Sequence, residues 1–206
     1  GWSTLSMYVM PKVDQAVILC AIALVGCGDG GDQAAQAPPP KPQSFGDGPR
    51  FRPKPYGHAA RHARPIDGMR CERRRGASYL AFVETFVDGR VVMMPAGIGI
   101  APPHGRDGAY VRHGRCEYPL RTREPTGKVE VDAAARARPT LGDLFAVWGE
   151  PLSRRRMLSF AGRVRAYAGS RRVTGDPRRI VLGPHAVVTL EIGRYVPPHA
   201  NYVFPP

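Results

Sequence analysis

The sequence lacks the short motifs that carry most hydrolytic and nucleotide-dependent chemistry. It contains no Gly-x-Ser-x-Gly, His-Glu-x-x-His, Walker A or EF-hand pattern. Serines are few, and none lies in the sequence context of a catalytic nucleophile. Glu130 and Asp132 lie one strand step apart, but two carboxylates beside arginines are an ordinary arrangement for ion pairing. We therefore predict that the protein is not an enzyme and uses no cofactor.

Lysine is scarce although the chain is strongly basic. The net charge is +13, with 30 basic residues, and lysine occurs only at Lys12, Lys41, Lys54 and Lys128. Abundant arginine, alanine, glycine and proline are typical of a GC-rich genome, and no RNA-binding, zinc-finger or basic-zipper motif is present. Nucleic acid is therefore not the expected partner. A selected anionic partner, such as an acidic envelope polymer, stays open as the second interpretation of the charge.

No segment near the N-terminus is long and apolar enough to span a bilayer. The apolar run Ala16–Gly26 has eleven residues, whereas a spanning helix needs about twenty. The run follows Lys12 and ends in Leu24-Val25-Gly26-Cys27, which resembles the lipobox of bacterial lipoproteins. The alternative, a buried core helix with a chance cysteine, fits poorly because a Gly/Asp-rich stretch follows at once.

The lipobox resemblance implies an export signal over residues 1–26, of which 1–9 would be an upstream extension. It also implies a lipid on Cys27, so the membrane would be contacted through a lipid anchor. The expected location is the cell envelope. Because Gly28 rather than aspartate follows the cysteine, the resemblance favours the periplasmic face of the outer membrane in a Gram-negative organism.

Cysteine is also scarce, and its positions predict one disulfide. Of the four cysteines, Cys20 lies inside the signal and Cys27 would be lipidated. This leaves Cys71 and Cys116 as a pair in an oxidising compartment, where a bond between them is expected. A metal or redox pair is the alternative, but no Cys-x-x-Cys spacing supports it.

The rest of the chain divides into a tether and one domain. Residues 27–65 are rich in proline and lack sustained periodicity, which predicts an extended tether. His58 and His62, four residues apart within it, are expected to be solvated rather than to bind a metal. Residues 66–206 are predicted to form a single globular domain.

The sequence of this domain predicts mainly strands and one helix. Tyr79–Val87 is rich in β-branched and aromatic residues, and Asp88-Gly89 predicts a hairpin that returns over Arg90–Met94. Thr140 with Asp143 predicts a capped amphipathic helix over residues 140–149, ended by Gly149. The predicted fold class is α+β: a mainly antiparallel β-sheet with one short amphipathic helix.

Four segments together resemble an uncharacterised family of exported prokaryotic proteins. They are Val87-Asp88-Gly89, Pro95–Ile100, Thr140–Leu152 and Thr174–Pro177. The family has a T-L-G-D-F-F-x-I-W-G-Q-P-L motif together with His-x-His-x-His and His-Thr-His-Asp blocks. The resemblance implies that typical members place these histidines as transition-metal ligands.

This sequence departs from the family at the histidine positions. The first strand carries Ser78, Leu80 and Phe82 there, and the His-Thr-His-Asp block is replaced by Arg121-Thr122-Arg123-Glu124, with Glu130 at the later histidine. Guanidinium groups do not act as metal ligands, so no metal is expected. We predict that Arg121, Arg123, Glu124 and Glu130 form a structural ion-pair cluster. A site for an anion such as phosphate or a carboxylate is the alternative.

Two functions from different classes follow. The first is a non-enzymatic envelope lipoprotein that acts as a binding or interaction module with a degenerate metal site. Its partner would be an acidic envelope polymer or another envelope protein. The second is an exported protein or metalloenzyme that binds copper or zinc through the remaining histidines, which are His104, His113, His185 and His199.

Overall fold

The computed structural model describes residues 53–73 and 76–204. The predicted export signal, the lipid attachment site Cys27 and the tether up to residue 52 lie outside these ranges. Strands make up 33% of the structure and helices 10%, which confirms the prediction of a mainly β domain. No helix within the described ranges is long and apolar enough to cross a membrane.

Three helices and twelve strands are present in the described ranges. The helices are α1 (His58–Arg61), α2 (Leu141–Trp148) and the 3₁₀ helix η1 (Pro177–Arg179). The strands are β1 (Tyr79–Val87), β2 (Arg90–Val91), β3 (Gly105–Asp107), β4 (Tyr110–His113), β5 (Leu120–Arg121), β6 (Lys128–Val131), β7 (Leu152–Ser153), β8 (Arg156–Met157), β9 (Phe160–Ala161), β10 (Arg165–Ala168), β11 (Arg171–Val173) and β12 (Val187–Ile192).

The main sheet has the strand order β11-β10-β12-β1-β6-β5, with β2 paired to β1. Strands β3 and β4 form a separate hairpin, and β7, β8 and β9 form a small three-stranded sheet. Most pairs are antiparallel, as predicted, but β1 and β12 at the centre are parallel. A parallel pair needs a long crossover connection, and here nearly one hundred residues separate the two strands.

All six residues of β12 are buried, so both faces of the sheet centre are covered. One face carries apolar side chains such as Val188 and Leu190, which belong to the same core as α2. Near the sheet, the C-terminal segment stacks Tyr202 on Phe82 with ring centroids 3.9 Å apart. The aromatic residues of the tail therefore belong to the folded domain.

The predicted hairpin and helix start and stop at the expected residues, with one exception. Asp88 and Gly89 have φ angles of 51° and 79°, as a type I′ turn requires. The returning strand β2 is shorter than predicted and ends at Val91. Thr140 and Asp143 form a reciprocal capping box, and Gly149 ends α2 in the left-handed region with φ of 80°.

The packed domain begins earlier than the predicted boundary at residue 66. Ala60 on α1 is 1% exposed and belongs to the core. The Trp148 indole N–H donates to the carbonyl of Lys54 at 2.8 Å, and the Tyr118 hydroxyl donates to the carbonyl of Arg64 at 2.6 Å. Residues 53–65 therefore pack on the domain, because a proline-rich stretch without periodicity can still bury single side chains.

The predicted disulfide between Cys71 and Cys116 is confirmed, with Cα atoms 5.4 Å apart and a sequence separation of 45. A β-bridge between Glu72 and Glu117 continues the pairing directly after the bond. The disulfide thus fixes the segment that precedes β5. In the chain-entropy account, closing a loop of this length contributes roughly 3–4 kcal/mol.

Candidate functional site

Two arginines and two glutamates lie together near the β5 edge of the main sheet. We call them the paired cluster: Arg121, Arg123, Glu117 and Glu130. Adjacent strands β5 and β6 place Arg121 opposite Glu130. The Arg121 Nε lies 2.7 Å from Glu130 and 3.2 Å from Glu117. The Arg123 guanidinium lies 2.9 Å from Glu130 and 3.0 Å from Glu117. Each arginine therefore contacts both carboxylates.

The charges of the paired cluster balance one another, and its side chains are largely buried. Side-chain exposures are 1% for Arg121 and 12% for Arg123, against 6% for Glu117 and 17% for Glu130. Burial alone would lower the pKa of Arg123, but Glu130 and Glu117 outweigh it and raise that pKa. Two cations and two anions leave no net charge. Arg123 also donates to the carbonyls of Val111 and Arg112, so its donors are largely occupied.

The structure separates Glu124 from the other predicted members of this cluster. Its carboxylate pairs instead with Lys128, four residues along the chain. Glu117, which sequence reasoning missed, takes its place. The available signal was its position directly after Cys116, because the disulfide and the bridge to Glu72 hold it beside β5.

The three strand positions at which the family resemblance implies histidines are occupied as follows. The Ser78 hydroxyl accepts a hydrogen bond from the Ala133 N–H at 3.0 Å. Leu80 lies opposite Glu130, and Phe82 lies opposite Lys128. Of these positions, Leu80 lies opposite a member of the paired cluster, and the three side chains offer no metal ligand beyond one hydroxyl.

The remaining histidines lie in several parts of the fold, and His113 on β4 lies opposite Gly105, the residue after His104. The His104 Nε2 lies 2.7 Å from the carbonyl of Ile100, and His185 stacks on Phe204. The His199 Nδ1 lies 2.9 Å from Glu84. Within residues 53–73 and 76–204, no three His, Cys, Asp or Glu side chains form a group that could hold a metal ion.

A second group of arginines lines an open cavity of about 960 Å³, which we call the arginine cavity. Its charged lining consists of Arg154, Arg155, Arg171, Arg178, Arg179 and one carboxylate, Asp176. The remaining lining residues are small or apolar: Ser153, Ala168, Val173, Gly175, Ile180 and Val181.

Three separate segments supply the arginines of the cavity. Arg154 and Arg155 form the turn between β7 and β8, and this turn is held by the Arg155 N–H, which donates to Ser153 Oγ at 3.2 Å. Arg171 comes from the edge strand β11. Arg178 and Arg179 lie on η1, which Asp176 caps by accepting from the Arg178 N–H at 3.0 Å. Each pair of arginines is therefore placed by a turn or a cap.

Among the described residues, one arginine of the cavity forms an ion pair with a carboxylate. The Arg178 guanidinium donates to the Asp176 carboxylate at 2.7 Å, and these hydrogen bonds lower the pKa of Asp176. The other four are exposed. Within the described residues no carboxylate forms an ion pair with them: Arg154, Arg155, Arg171 and Arg179. The cavity therefore carries a positive charge that the domain does not neutralise.

The sequence already contained a sign of this cavity. Arginines occur in adjacent groups at 154–156, 171–172 and 178–179, each beside turn-forming residues. A GC-rich genome accounts for a high arginine content in general, so the sequence alone does not distinguish these groups from the other arginines. Their convergence depends on the order of strands β11 and β10 in the sheet, which a sequence pattern does not specify.

No protein-family model, curated protein or solved structure matches this chain. The resemblance to exported prokaryotic proteins therefore stays a prediction. Function is inferred here from the chain's own residues, above all from the two groups of arginines.

Proposed function

We propose that this protein is a non-enzymatic envelope lipoprotein whose α+β domain binds an anionic partner in the arginine cavity. The observation that carries the proposal is the convergence of four exposed arginines from three separate segments, none of which forms an ion pair with a carboxylate among the described residues. Like charges held close together repel each other. An anionic ligand removes that repulsion, so the cavity favours binding.

The chemistry of arginine suits this role. Its planar guanidinium presents donors in a fork that matches a phosphate or carboxylate group, often with two parallel hydrogen bonds. The apolar residues Val173, Ile180 and Val181 line the same cavity and are suited to contact the uncharged part of a ligand. Binding at such an exposed site is expected to weaken as salt rises.

The paired cluster has a different role in this proposal. Glu117 and Glu130 already occupy the guanidinium groups of Arg121 and Arg123, and burial keeps solvent ions away. We infer that these four residues are structural, and that Arg121, Arg123 and Glu130 stand where the proposed family carries histidines. Anion binding, the alternative role for Arg121 and Arg123, is proposed for the arginine cavity instead.

The location is part of the same proposal. A diacylglycerol on Cys27 would hold the domain at the envelope membrane, with the periplasmic face of the outer membrane favoured in a Gram-negative organism. Multiple acyl chains anchor stably where one does not. An anchored module with a cationic cavity is suited to hold an acidic envelope component near that surface.

The test is a calorimetric titration of pyrophosphate into the full chain with its disulfide formed. Three proteins are compared: the wild type, a cavity variant (Arg155→Ala, Arg171→Ala and Arg179→Ala) and a charge-matched control variant (Arg138→Ala, Arg156→Ala and Arg172→Ala). The control arginines are exposed but do not line the cavity. We expect binding to be lost only in the cavity variant. Equal binding by both variants would refute the proposed site.

A further inference from the structure

A second cavity continues the positive surface beyond the arginine cavity. It measures about 640 Å³ and is lined by Arg154, Arg155, Ala161, Gly162 and Arg163. The two cavities share Arg154 and Arg155, so the turn between β7 and β8 is the wall common to both. Arg163 is exposed and forms no ion pair within the described residues.

The backbone holds Arg163 close to this turn. The Gly162 N–H donates to the carbonyl of Arg155 at 3.0 Å, and the Val164 N–H donates to the carbonyl of Arg154 at 2.9 Å. Arg163 is thus flanked by two residues that are hydrogen-bonded to the turn. Its position does not depend on a flexible connection, because strand β9 pairs with β8 just before it.

Arginine side chains therefore follow one another across two adjoining cavities, from Arg163 over Arg154 and Arg155 to Arg171 and Arg179. A single phosphate or carboxylate group can contact only a few of them. We infer that the ligand is a linear polyanion, with anionic groups repeated along one chain, that crosses the turn and occupies both cavities. This inference rests on the proposed function and specifies its ligand.

The linings favour an acidic polymer over a nucleic acid. Single-stranded nucleic acids are held by aromatic side chains on which the bases stack, in addition to backbone contacts. Among the described residues, the uncharged side chains that line the two cavities are all small or aliphatic. Such a lining fits repeated charge without base recognition.

The experiment uses the full chain, oxidised, with two phosphate probes of different length: pyrophosphate and long-chain linear polyphosphate. The informative variant is Arg163→Ala, and the matched control is Arg156→Ala, which removes the same charge from an exposed residue outside both cavities. Arg163→Ala should weaken polyphosphate binding about two- to fivefold, as expected for one exposed charge pair. It should leave pyrophosphate binding unchanged, and Arg156→Ala should change neither.

Failures of the two proposals give different results. If pyrophosphate binds but Arg163→Ala does not affect polyphosphate, the extended site is refuted and the arginine cavity remains. If neither probe binds, both are refuted. Oligogalacturonate, a chain of carboxylates, identifies the charged group that is recognised. If its binding depends on Arg163 as much as polyphosphate binding does, the site accepts any repeated anion. If it does not bind while polyphosphate binds tightly, the ligand is a phosphate polymer. Tighter binding of single-stranded DNA than of polyphosphate with equal charge would overturn the choice of an acidic polymer.

Discussion

The paired cluster and the arginine cavity use the same side chain for opposite purposes. In the paired cluster, two buried arginines meet two carboxylates, and the net charge is zero. In the arginine cavity, five exposed arginines share one carboxylate, and only Arg178 contacts it. The comparison shows that local carboxylates and burial, rather than arginine content, determine whether a guanidinium is structural or available to a ligand.

The energetic consequences of the two arrangements also differ. Removing one partner of a buried ion pair leaves an uncompensated charge and is strongly destabilising. Removing an exposed, unpaired arginine changes folding free energy little, because water solvates it in both states. Substitutions in the two regions should therefore separate stability from binding.

The largest effect is expected in the paired cluster. Arg121→Met leaves Glu117 and Glu130 buried with Arg123 as their shared cation, and should lower the free energy of unfolding by about 3–5 kcal/mol. Urea denaturation measures this change. Arg172→Met, at an exposed strand position, is the control and should stay close to the wild type. A loss below about 1 kcal/mol for Arg121→Met would contradict a structural role, since that is the range of exposed pairs.

The second largest effect is expected in the salt dependence of ligand binding. The Debye length falls from about 10 Å at 0.1 M salt to about 3 Å at 1 M, so pyrophosphate binding in the open cavity should weaken by about tenfold or more over that range. Calorimetry at several salt concentrations measures the affinity. Binding that is insensitive to salt would indicate a buried site and argue against the arginine cavity.

Freeing the one paired arginine of the cavity should strengthen binding. Asp176→Asn removes the carboxylate that occupies Arg178, while the amide oxygen can still accept the capping hydrogen bond from the Arg178 N–H. We expect pyrophosphate affinity to rise about two- to fivefold. The same titration, with Asp107→Asn at an exposed carboxylate outside the cavity as control, measures the change. Unchanged or weaker binding would show that Arg178 does not face the ligand.

The smallest effect concerns a carboxylate that belongs to neither region. Glu150 is half-buried, and burial raises its pKa. Because the folded state favours the protonated form, this carboxylate destabilises the fold above its raised pKa and has no such effect below its ordinary pKa. Glu150→Gln should therefore raise Tm at neutral pH by at most about 2 °C and leave it unchanged in acid. A higher Tm in acid but not at neutral pH would contradict this sign.

Much of the local structure was predictable from short-range chemistry. The type I′ turn at Asp88-Gly89 follows from the preference of both residues for positive φ, and the start of α2 follows from the Thr140–Asp143 capping box. The Cys71–Cys116 bond followed from elimination among four cysteines. Each of these features depends on few residues or on simple counting.

The contacts between residues that are distant in sequence were harder to predict. The partner Glu117 was missed because nothing in the spacing of Arg121 and Arg123 indicates a carboxylate on the preceding segment. The parallel pairing of β1 with β12, and with it the position of β11 at one sheet edge, depends on the order of strands. That order determines the arginine cavity, so its residues appeared in the sequence only as scattered arginine pairs.

The most direct test of the contrast between the two regions observes the guanidinium groups themselves. In a titration of the full chain with pyrophosphate, NMR signals of arginine Nε–Hε groups are assigned through single substitutions and followed. We predict saturable shifts for Arg155, Arg171 and Arg179, with unchanged signals for Arg121 and Arg123. Shifts confined to Arg121 and Arg123, with the cavity signals unmoved, would contradict the assignment of binding to the cavity and structure to the cluster.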